Sequence, residues 1–113
     1  MKVLNTSKNI ILVEGVSVAK TIFENAEGLL NVLSPHAMLL RTRWGIHTFG
    51  MHFPIDVVIT DDAYGVRNIK RGLLPNRLFF WNPRFCNVFE FPEDTVQKSG
   101  TEIGDTLVLI EEK

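Results

Sequence analysis

Short apolar stretches alternate along this chain with residues that favour turns, chiefly Gly, Pro, Asn and Asp. Apolar runs of this length between turn signals are typical of the strands of a β-sandwich or barrel. Side chains branched at Cβ suit a pleated sheet better than a helix, and Val and Ile greatly outnumber Ala here. The pattern predicts strands at residues 9–14, 16–20, 37–42, 46–48, 56–60, 66–70, 78–81, 86–91 and 106–110.

One segment departs from this pattern and predicts a helix. Its apolar residues are spaced as one face of a helix, and they are Ile22, Phe23, Ala26, Leu29, Leu30 and Leu33. Thr21 and Glu24 fit a capping box at its start, and Pro35 cannot continue a helix. We therefore predict one main helix near residues 22–32, with its apolar face covering one side of a sheet.

Two shorter segments predict local turns. Residues 61–65 join two predicted strands and end on Gly, as five-residue hairpin loops do. Residues 93–98 carry acids at the start and Lys at the end, which favours a helical turn. The expected fold class is therefore mostly β, a compact antiparallel barrel or sandwich with one main flanking helix.

Length and composition limit the class of protein. We predict a single domain over residues 1–113, because two self-sufficient cores would not fit in this length. Leu, Ile, Val and Phe make up roughly a third of the chain, above the ~20% that marks disorder. No apolar run approaches the ~18 residues of a membrane span, and the lone Cys86 cannot form an internal disulfide. We expect a soluble, cytoplasmic domain that does not enter a membrane.

Residues 45–60 contain a succession of short motifs, namely Phe49-Gly50-Met51, Pro54-Ile55-Asp56 and Val57-Val58-Ile59. This succession resembles the signature of the domain-of-unknown-function 192 family. Weaker matches follow in the family's order, at Val18-Ala19 with Thr21, Gly28-Leu29-Leu30, Tyr64-Gly65-Val66, Pro75, Val88-Phe89-Glu90 and Gly104-Asp105. After Met51 this chain has His-Phe, where many members have Lys-Asn-Thr. The resemblance implies a mostly β barrel or sandwich with a flanking helix, and the family has no assigned activity.

Asp56 opens an apolar strand directly after Pro54-Ile55. A carboxylate there could act as a general base, anchor a ligand, or accept hydrogen bonds from main-chain N–H groups. Polar groups at strand ends most often pair with nearby backbone, which favours the third alternative. We expect the carboxylate to be buried and hydrogen-bonded to the loop of residues 45–53.

The loop of residues 45–54 is the best candidate for a binding site. It holds two His, one Met and two Gly between strands, and loops fixed on a rigid scaffold often carry binding groups. His47 can donate, accept or ligate near neutral pH. The predicted site has His47 and Thr48 lining a polar cavity, with Met51, Asp56, Arg41 and Arg43 as further binding residues. The alternative is that His47 is structural and ties this loop to its neighbours.

Metal binding and catalysis find less support in the sequence. Imidazole, thioether and thiol groups could together suit a soft metal ion, but the His residues, Met51 and Cys86 show no recurrent ligand spacing. Cys86 lies in an apolar strand, which is typical of a core residue. No nucleophile motif or Gly-rich phosphate loop is present. We predict no metal and no cofactor, and rank a metal-dependent or hydrolytic enzyme third among the functions.

Charge is distributed unevenly along the chain, although the formal net charge is only −1. Residues 41–84 hold seven Lys and Arg against three Asp, and aromatic residues interleave with them. Such a set could bind a carboxylate or phosphate, or could grip single-stranded nucleic acid by phosphate contacts and base stacking. We favour a binding or accessory domain for an anionic small ligand or partner segment. The alternative is a single-stranded nucleic-acid-binding module that uses residues 41–85, and the oligomeric state stays open.

Overall fold

The computed structural model describes residues 1–18, 37–43 and 45–111. These residues form ten strands and one short helix. In chain order they are β1 (Lys2–Asn5), β2 (Ile10–Val13), β3 (Ser17–Val18), β4 (Met38–Arg41), β5 (Gly45–His47), β6 (Ile55–Thr60), β7 (Val66–Leu73), β8 (Leu78–Phe80), β9 (Asn87–Pro92), α1 (Thr95–Ser99) and β10 (Leu107–Ile110). No helix among them is long and apolar enough to cross a membrane.

The strands form three sheets. A five-stranded sheet has the order β3-β4-β9-β6-β7, a three-stranded sheet has the order β10-β1-β2, and β5 pairs with β8 in a two-stranded ribbon. All pairings are antiparallel except that of β3 with β4. The mostly β prediction is confirmed. Of the two predicted forms, the described sheets correspond to a sandwich, because they do not close into a barrel.

The five-stranded sheet lies between two apolar cores. All six residues of its inner strand β6 are buried. Alternate side chains of a strand point to opposite faces, and an apolar core covers each face here. The core on the ribbon side contains Met38, Leu40, Ile46, Met51, Ile55, Val57, Ile59, Leu73, Trp81 and Val88. The core on the side of the three-stranded sheet contains Val3, Val16, Ala37, Leu39, Val58, Val66, Phe89, Phe91, Val96 and Leu107.

A buried polar network joins the first strand to the segment after α1. The amide Nδ2 of Asn5 donates to Asp105 Oδ2 at 2.9 Å and to Thr101 Oγ1 at 3.0 Å. Lys8 Nζ reaches both carboxylate oxygens of Asp105, at 3.1 and 3.0 Å. Asn5 is fully buried, so these bonds supply the partners that its amide would otherwise find in water. The network fixes the two ends of the described chain against each other.

Each predicted strand overlaps a strand of the structure, and the predicted hairpin loop at 61–65 is present. The helical turn predicted at 93–98 is confirmed as Thr95–Ser99. β1 was not predicted, because its four residues mix polar and apolar side chains, and pairing with the distant β10 defines it. The helix predicted near 22–32 lies outside the described residues.

Candidate functional site

The structure divides the six predicted site residues among three places. His47, Thr48 and Met51 belong to β5 and the turn after it, Asp56 lies on β6, and Arg41 and Arg43 lie at the end of β4. Strand β9 pairs with both β4 and β6, so the positions of their partners on β9 give the distance between Arg41 and Asp56 along the sheet. Asp56 lies opposite Phe91 of β9, whereas Arg41 lies opposite Asn87. Four residues of extended strand span about 13 Å, so the arginines and Asp56 do not form one compact site.

Thr48 is engaged by protein partners rather than presented to a ligand. Its side chain is buried, with 1% of the residue exposed. Its hydroxyl donates to the carbonyl of Leu74 at 2.7 Å and accepts from the N–H of Arg77 at 2.9 Å. The main-chain carbonyl of Thr48 accepts a further bond from Asn76. Thr48 thus joins the turn after β5 to the loop before β8, while Met51 is buried in the core beneath.

His47 is exposed on the outer side of the ribbon. Its Nδ1 accepts a hydrogen bond from the N–H of Phe49 at 3.3 Å. The two rings are stacked, with centroids 5.1 Å apart and an interplanar angle of 23°. The imidazole therefore orients the neighbouring aromatic ring of Phe49.

Asp56 is buried, as predicted, with 1% of the residue exposed. Its Oδ1 accepts the N–H of Gly72 and its Oδ2 accepts the N–H of Val96, both at 2.9 Å. The predicted partners, in the loop of residues 45–53, were wrong. Because Asp56 lies opposite Phe91, its side chain faces the core away from the ribbon, and that loop lies on the other side of the sheet. Of the three alternatives for this carboxylate, the geometry is that of a main-chain acceptor.

Four arginines lie at one end of the five-stranded sheet, and we refer to Arg41, Arg43, Arg67 and Arg84 as the arginine end. β4 ends here, β9 begins here, and the hairpin between β6 and β7 turns here. All four residues are exposed. Of these four arginines, only Arg67 forms an ion pair with a carboxylate of the described residues, that of Asp61.

The arginine end is held by contacts to neutral groups. Arg41 donates through Nε to Asn87 Oδ1 and through Nη2 to the hydroxyl of Tyr64, both at 3.1 Å. Arg43 donates to the carbonyl of Pro83 at 3.2 Å. Arg67 places its guanidinium 5.5 Å from the centroid of the Phe85 ring. The guanidinium groups of Arg41, Arg43 and Arg67 are thus positioned, and among the described residues only that of Arg67 pairs with a carboxylate.

Asp61 organises the hairpin at this end. Its Oδ1 accepts the N–H groups of Ala63 and Gly65 at 2.9 Å, and its Oδ2 accepts Arg67 Nε at 2.9 Å. The bond from Gly65, with those from Arg67 and Ala63, lowers the pKa of Asp61 below its ordinary value despite partial burial. Beside it lies a cleft of about 350 Å³, lined by Asp61, Gly65, Val66, Arg67, Ile103 and Gly104. The carboxylate therefore stays ionised and fixes Arg67 at the rim of the cleft.

The sequence did not single out the outer face of the ribbon. Ile46 and Phe79 face the core, so their neighbours point outward. Leu78 and Phe80 are 56% and 65% exposed, and Phe49 is 48% exposed. The alternation of inward and outward side chains along a strand could have indicated this face. However, residues 78–81 form one continuous apolar run, which resembles a fully buried strand.

Besides Asp56, Glu90 also has its carboxylate inside the core. Glu90 is 2% exposed at the middle of β9, opposite Met38 and Val57 on the ribbon side of the sheet. Metal-ligating side chains do not converge on it or elsewhere, since no group of three or more His, Cys, Asp or Glu in the described residues could hold a metal ion.

Comparisons with known proteins identify the fold. No protein-family model and no curated protein matches this chain. A solved protein of unknown function from Novosphingobium aromaticivorans is 16% identical with a TM-score of 0.75, and the match covers 96% of this chain and 82% of that one. A protein from Sinorhizobium meliloti, provisionally described as a transcription regulator, is 20% identical with a TM-score of 0.69, over 95% and 89%. The likeness to both is one of fold, a small mostly β domain.

Proposed function

We propose that this protein is a binding domain that recognises a carboxylate or phosphate group, on a small ligand or a partner segment, at the arginine end. We further propose membership of the domain-of-unknown-function 192 family. The motifs of residues 45–60 support that membership.

The proposal rests on one observation, which concerns the carboxylate partners of Arg41, Arg43 and Arg84. Among the described residues none of the three forms an ion pair with a carboxylate. Planar guanidinium groups bind carboxylates and phosphates through two parallel hydrogen bonds, which makes them suited to such anions. Bonds to Asn87 and Tyr64 occupy only two of the five N–H donors of Arg41. An anion arriving at this end meets donors of Arg41 and Arg43 that hydrogen bonds hold in place and that pair with no carboxylate of the described residues.

Single-stranded nucleic acid is the less favoured ligand. Stacking of Arg67 on Phe85 provides one element of such a site. However, the remaining basic residues of 41–84 lie elsewhere: Arg71 bonds to Gln97 of α1, and Arg77 lies beside the ribbon. A strand of nucleic acid needs a continuous basic track, and this division interrupts it. The description of the Sinorhizobium meliloti protein belongs to that protein and adds nothing specific here.

The proposal is tested by calorimetric titration with pyrophosphate and with citrate, as probes for the two kinds of anion. The wild type is expected to bind one of them saturably, and the variant Arg41→Gln/Arg43→Gln/Arg84→Gln to lose that binding. The control Lys70→Gln/Arg71→Gln/Lys98→Gln removes the same charge from β7 and α1, from residues that are also exposed, and should bind as the wild type does.

Two results would overturn the proposal. Equal loss of binding in both triple variants would mean that only overall charge matters. Affinity for a single-stranded oligonucleotide that grows with its length, and that both triple variants weaken, would favour the nucleic-acid alternative.

A further inference from the structure

The outer face of the ribbon presents a group of exposed aromatic and aliphatic side chains, and we define the ribbon face as His47, Phe49, Leu78 and Phe80. His47 lies directly opposite Leu78, and Phe80 lies opposite Gly45. Opposite positions of an antiparallel pair put their side chains on the same face. Leu74, 49% exposed, lies on the adjoining loop whose carbonyl Thr48 binds. Clustered exposed apolar residues of this kind mark interaction sites on proteins.

The aromatic rings of this face are held in place although they face solvent. A Cβ atom built on Gly45 would lie 2.6 Å from Cδ1 of Phe80, so the Phe80 ring rests directly on the glycine backbone. The Phe49 ring is stacked on His47. Rings ordered before binding lose little conformational freedom when a partner covers them, which favours affinity. Large aromatic side chains are also those that most often dominate binding energy at interfaces.

The two chain segments that form the ribbon face carry charges of one sign. Residues 45–53 and 74–82 contain neither Asp nor Glu. Their ionisable side chains are His47, His52 and Arg77, all of which are exposed. Thr48 binds the N–H of Arg77, which fixes the root of that side chain next to Leu78. On these segments the face is therefore apolar at its centre and neutral to positive at its rim, and its complement is apolar and acidic.

We propose that the ribbon face docks an acidic, apolar segment of a partner protein. The segment's Leu or aromatic side chains cover Leu78 and Phe80, and its carboxylates reach Arg77 and His47. A second copy of this chain fits less well, because a symmetric pairing of two ribbon faces brings together rims that lack acids. This docking uses none of the arginine end and therefore goes beyond the function proposed above.

The test selects peptides from a random-peptide phage library against the full chain. The most enriched peptide is then synthesised with a fluorescent label, and its Kd is measured by anisotropy. Enriched peptides are expected to combine Asp or Glu with Leu or aromatic residues. Leu78→Ser/Phe80→Ser should raise the Kd by about tenfold or more, and Arg77→Gln should raise it by a smaller factor.

Two variants serve as controls. Ile10→Ser/Ile11→Ser removes a pair of exposed apolar residues from β2 and should leave the Kd unchanged. Arg41→Gln/Arg43→Gln/Arg84→Gln should also leave it unchanged, which separates this surface from the arginine end. Thermal unfolding of each variant checks that it folds.

Several outcomes would overturn the proposal. Enriched peptides without acids would contradict recognition of an acidic segment by Arg77 and His47. Unchanged affinity of the Leu78→Ser/Phe80→Ser variant would show that the peptides bind elsewhere. Self-association that this variant abolishes would identify a second copy as the occupant. Competition by a single-stranded oligonucleotide that binds this face more tightly than the peptide would assign the face to nucleic acid.

Discussion

The carboxylate of Asp56 accepts a hydrogen bond from the main-chain N–H of Val96, forty residues further along the chain, at 2.9 Å. Val96 lies in the first turn of α1, where N–H groups have no partner within the helix. Asp94 occupies the N-cap position but has a φ of 74° and makes no side-chain cap. Asp56 therefore caps the helix from the sheet, and through Gly72 it also fixes the end of β7.

Replacing Asp56 by Ala is expected to destabilise the protein by about 1–3 kcal/mol, because the buried N–H of Val96 and the half-buried N–H of Gly72 would lose their acceptor. Urea unfolding measures the change in the free energy of unfolding. Asp62→Ala provides the control, since Asp62 is exposed in the hairpin turn and such substitutions change stability by only about 0.5 kcal/mol. Equal effects of the two substitutions would contradict the capping role.

Thr48→Val tests whether the turn after β5 is architectural. Valine keeps the shape of the side chain and removes the hydroxyl, which leaves the carbonyl of Leu74 and the N–H of Arg77 without that partner. The expected cost is about 1–3 kcal/mol in the free energy of unfolding, with unchanged binding of the anion probes. A Thr48→Val protein that is fully stable but fails to bind them would instead indicate a ligand contact.

Gly45→Ala should destabilise the ribbon. The added Cβ would meet Cδ1 of Phe80 at 2.6 Å and the carbonyl oxygen of Phe79 at 2.8 Å, and the second neighbour is backbone that cannot rotate away. Overpacking of this kind costs about 1–3 kcal/mol. The double variant Gly45→Ala/Phe80→Ala removes the ring contact alone. Destabilisation by Gly45→Ala should persist in that background, and its complete disappearance would show that the backbone contact is unimportant.

The stability of the protein should depend on Asp105 in acid. Burial acts to raise the pKa of this carboxyl, but hydrogen bonds from Asn5, from the N–H of Glu102 and from Lys8 together lower it below the ordinary value of 3.8. A depressed pKa in the folded protein stabilises it fully above the ordinary value, and this stabilisation is lost as the pH falls through the folded pKa.

Urea unfolding of the wild type and of Asp105→Asn across the acid range measures this dependence. The difference between the two should be constant at neutral pH and should shrink as the pH falls from about 4. Lys8→Met removes one donor and should move the loss of stability to higher pH. A difference that does not change with pH would contradict a role for the ionised carboxylate.

The sequence predicted local structure better than it predicted the site. Strand spacing located β6 and β9 because their apolar residues recur between clear turn signals. The partners of Asp56 could not be predicted, since which face of β6 it occupies depends on pairing with β7 and β9. The gathering of Arg41 and Arg84 at one end likewise depends on the pairing of β4 with β9.

The predicted site around His47 contained both buried residues and an exposed one, and the sequence alone cannot distinguish them. Thr48 and Met51 lie within four residues of His47 in the chain, yet both are buried while the imidazole is exposed. Burial in this turn follows from its bonds to the loop of residues 74–77, which lies nearly thirty residues away. A polar residue in a loop is a binding candidate only when such long-range partners are absent.

The most direct measurement is a ¹⁵N-resolved NMR titration of the wild type with the anion, pyrophosphate or citrate, that binds in the calorimetric test. Saturable shifts with one common Kd are expected for amide resonances at the arginine end, such as those of Thr42, Tyr64 and Phe85. The amides of Gly72 and Val96, which bind Asp56, should not move. Saturable shifts centred on Thr48 and Asp56, with the arginine end unaffected, would contradict anion binding at the arginine end.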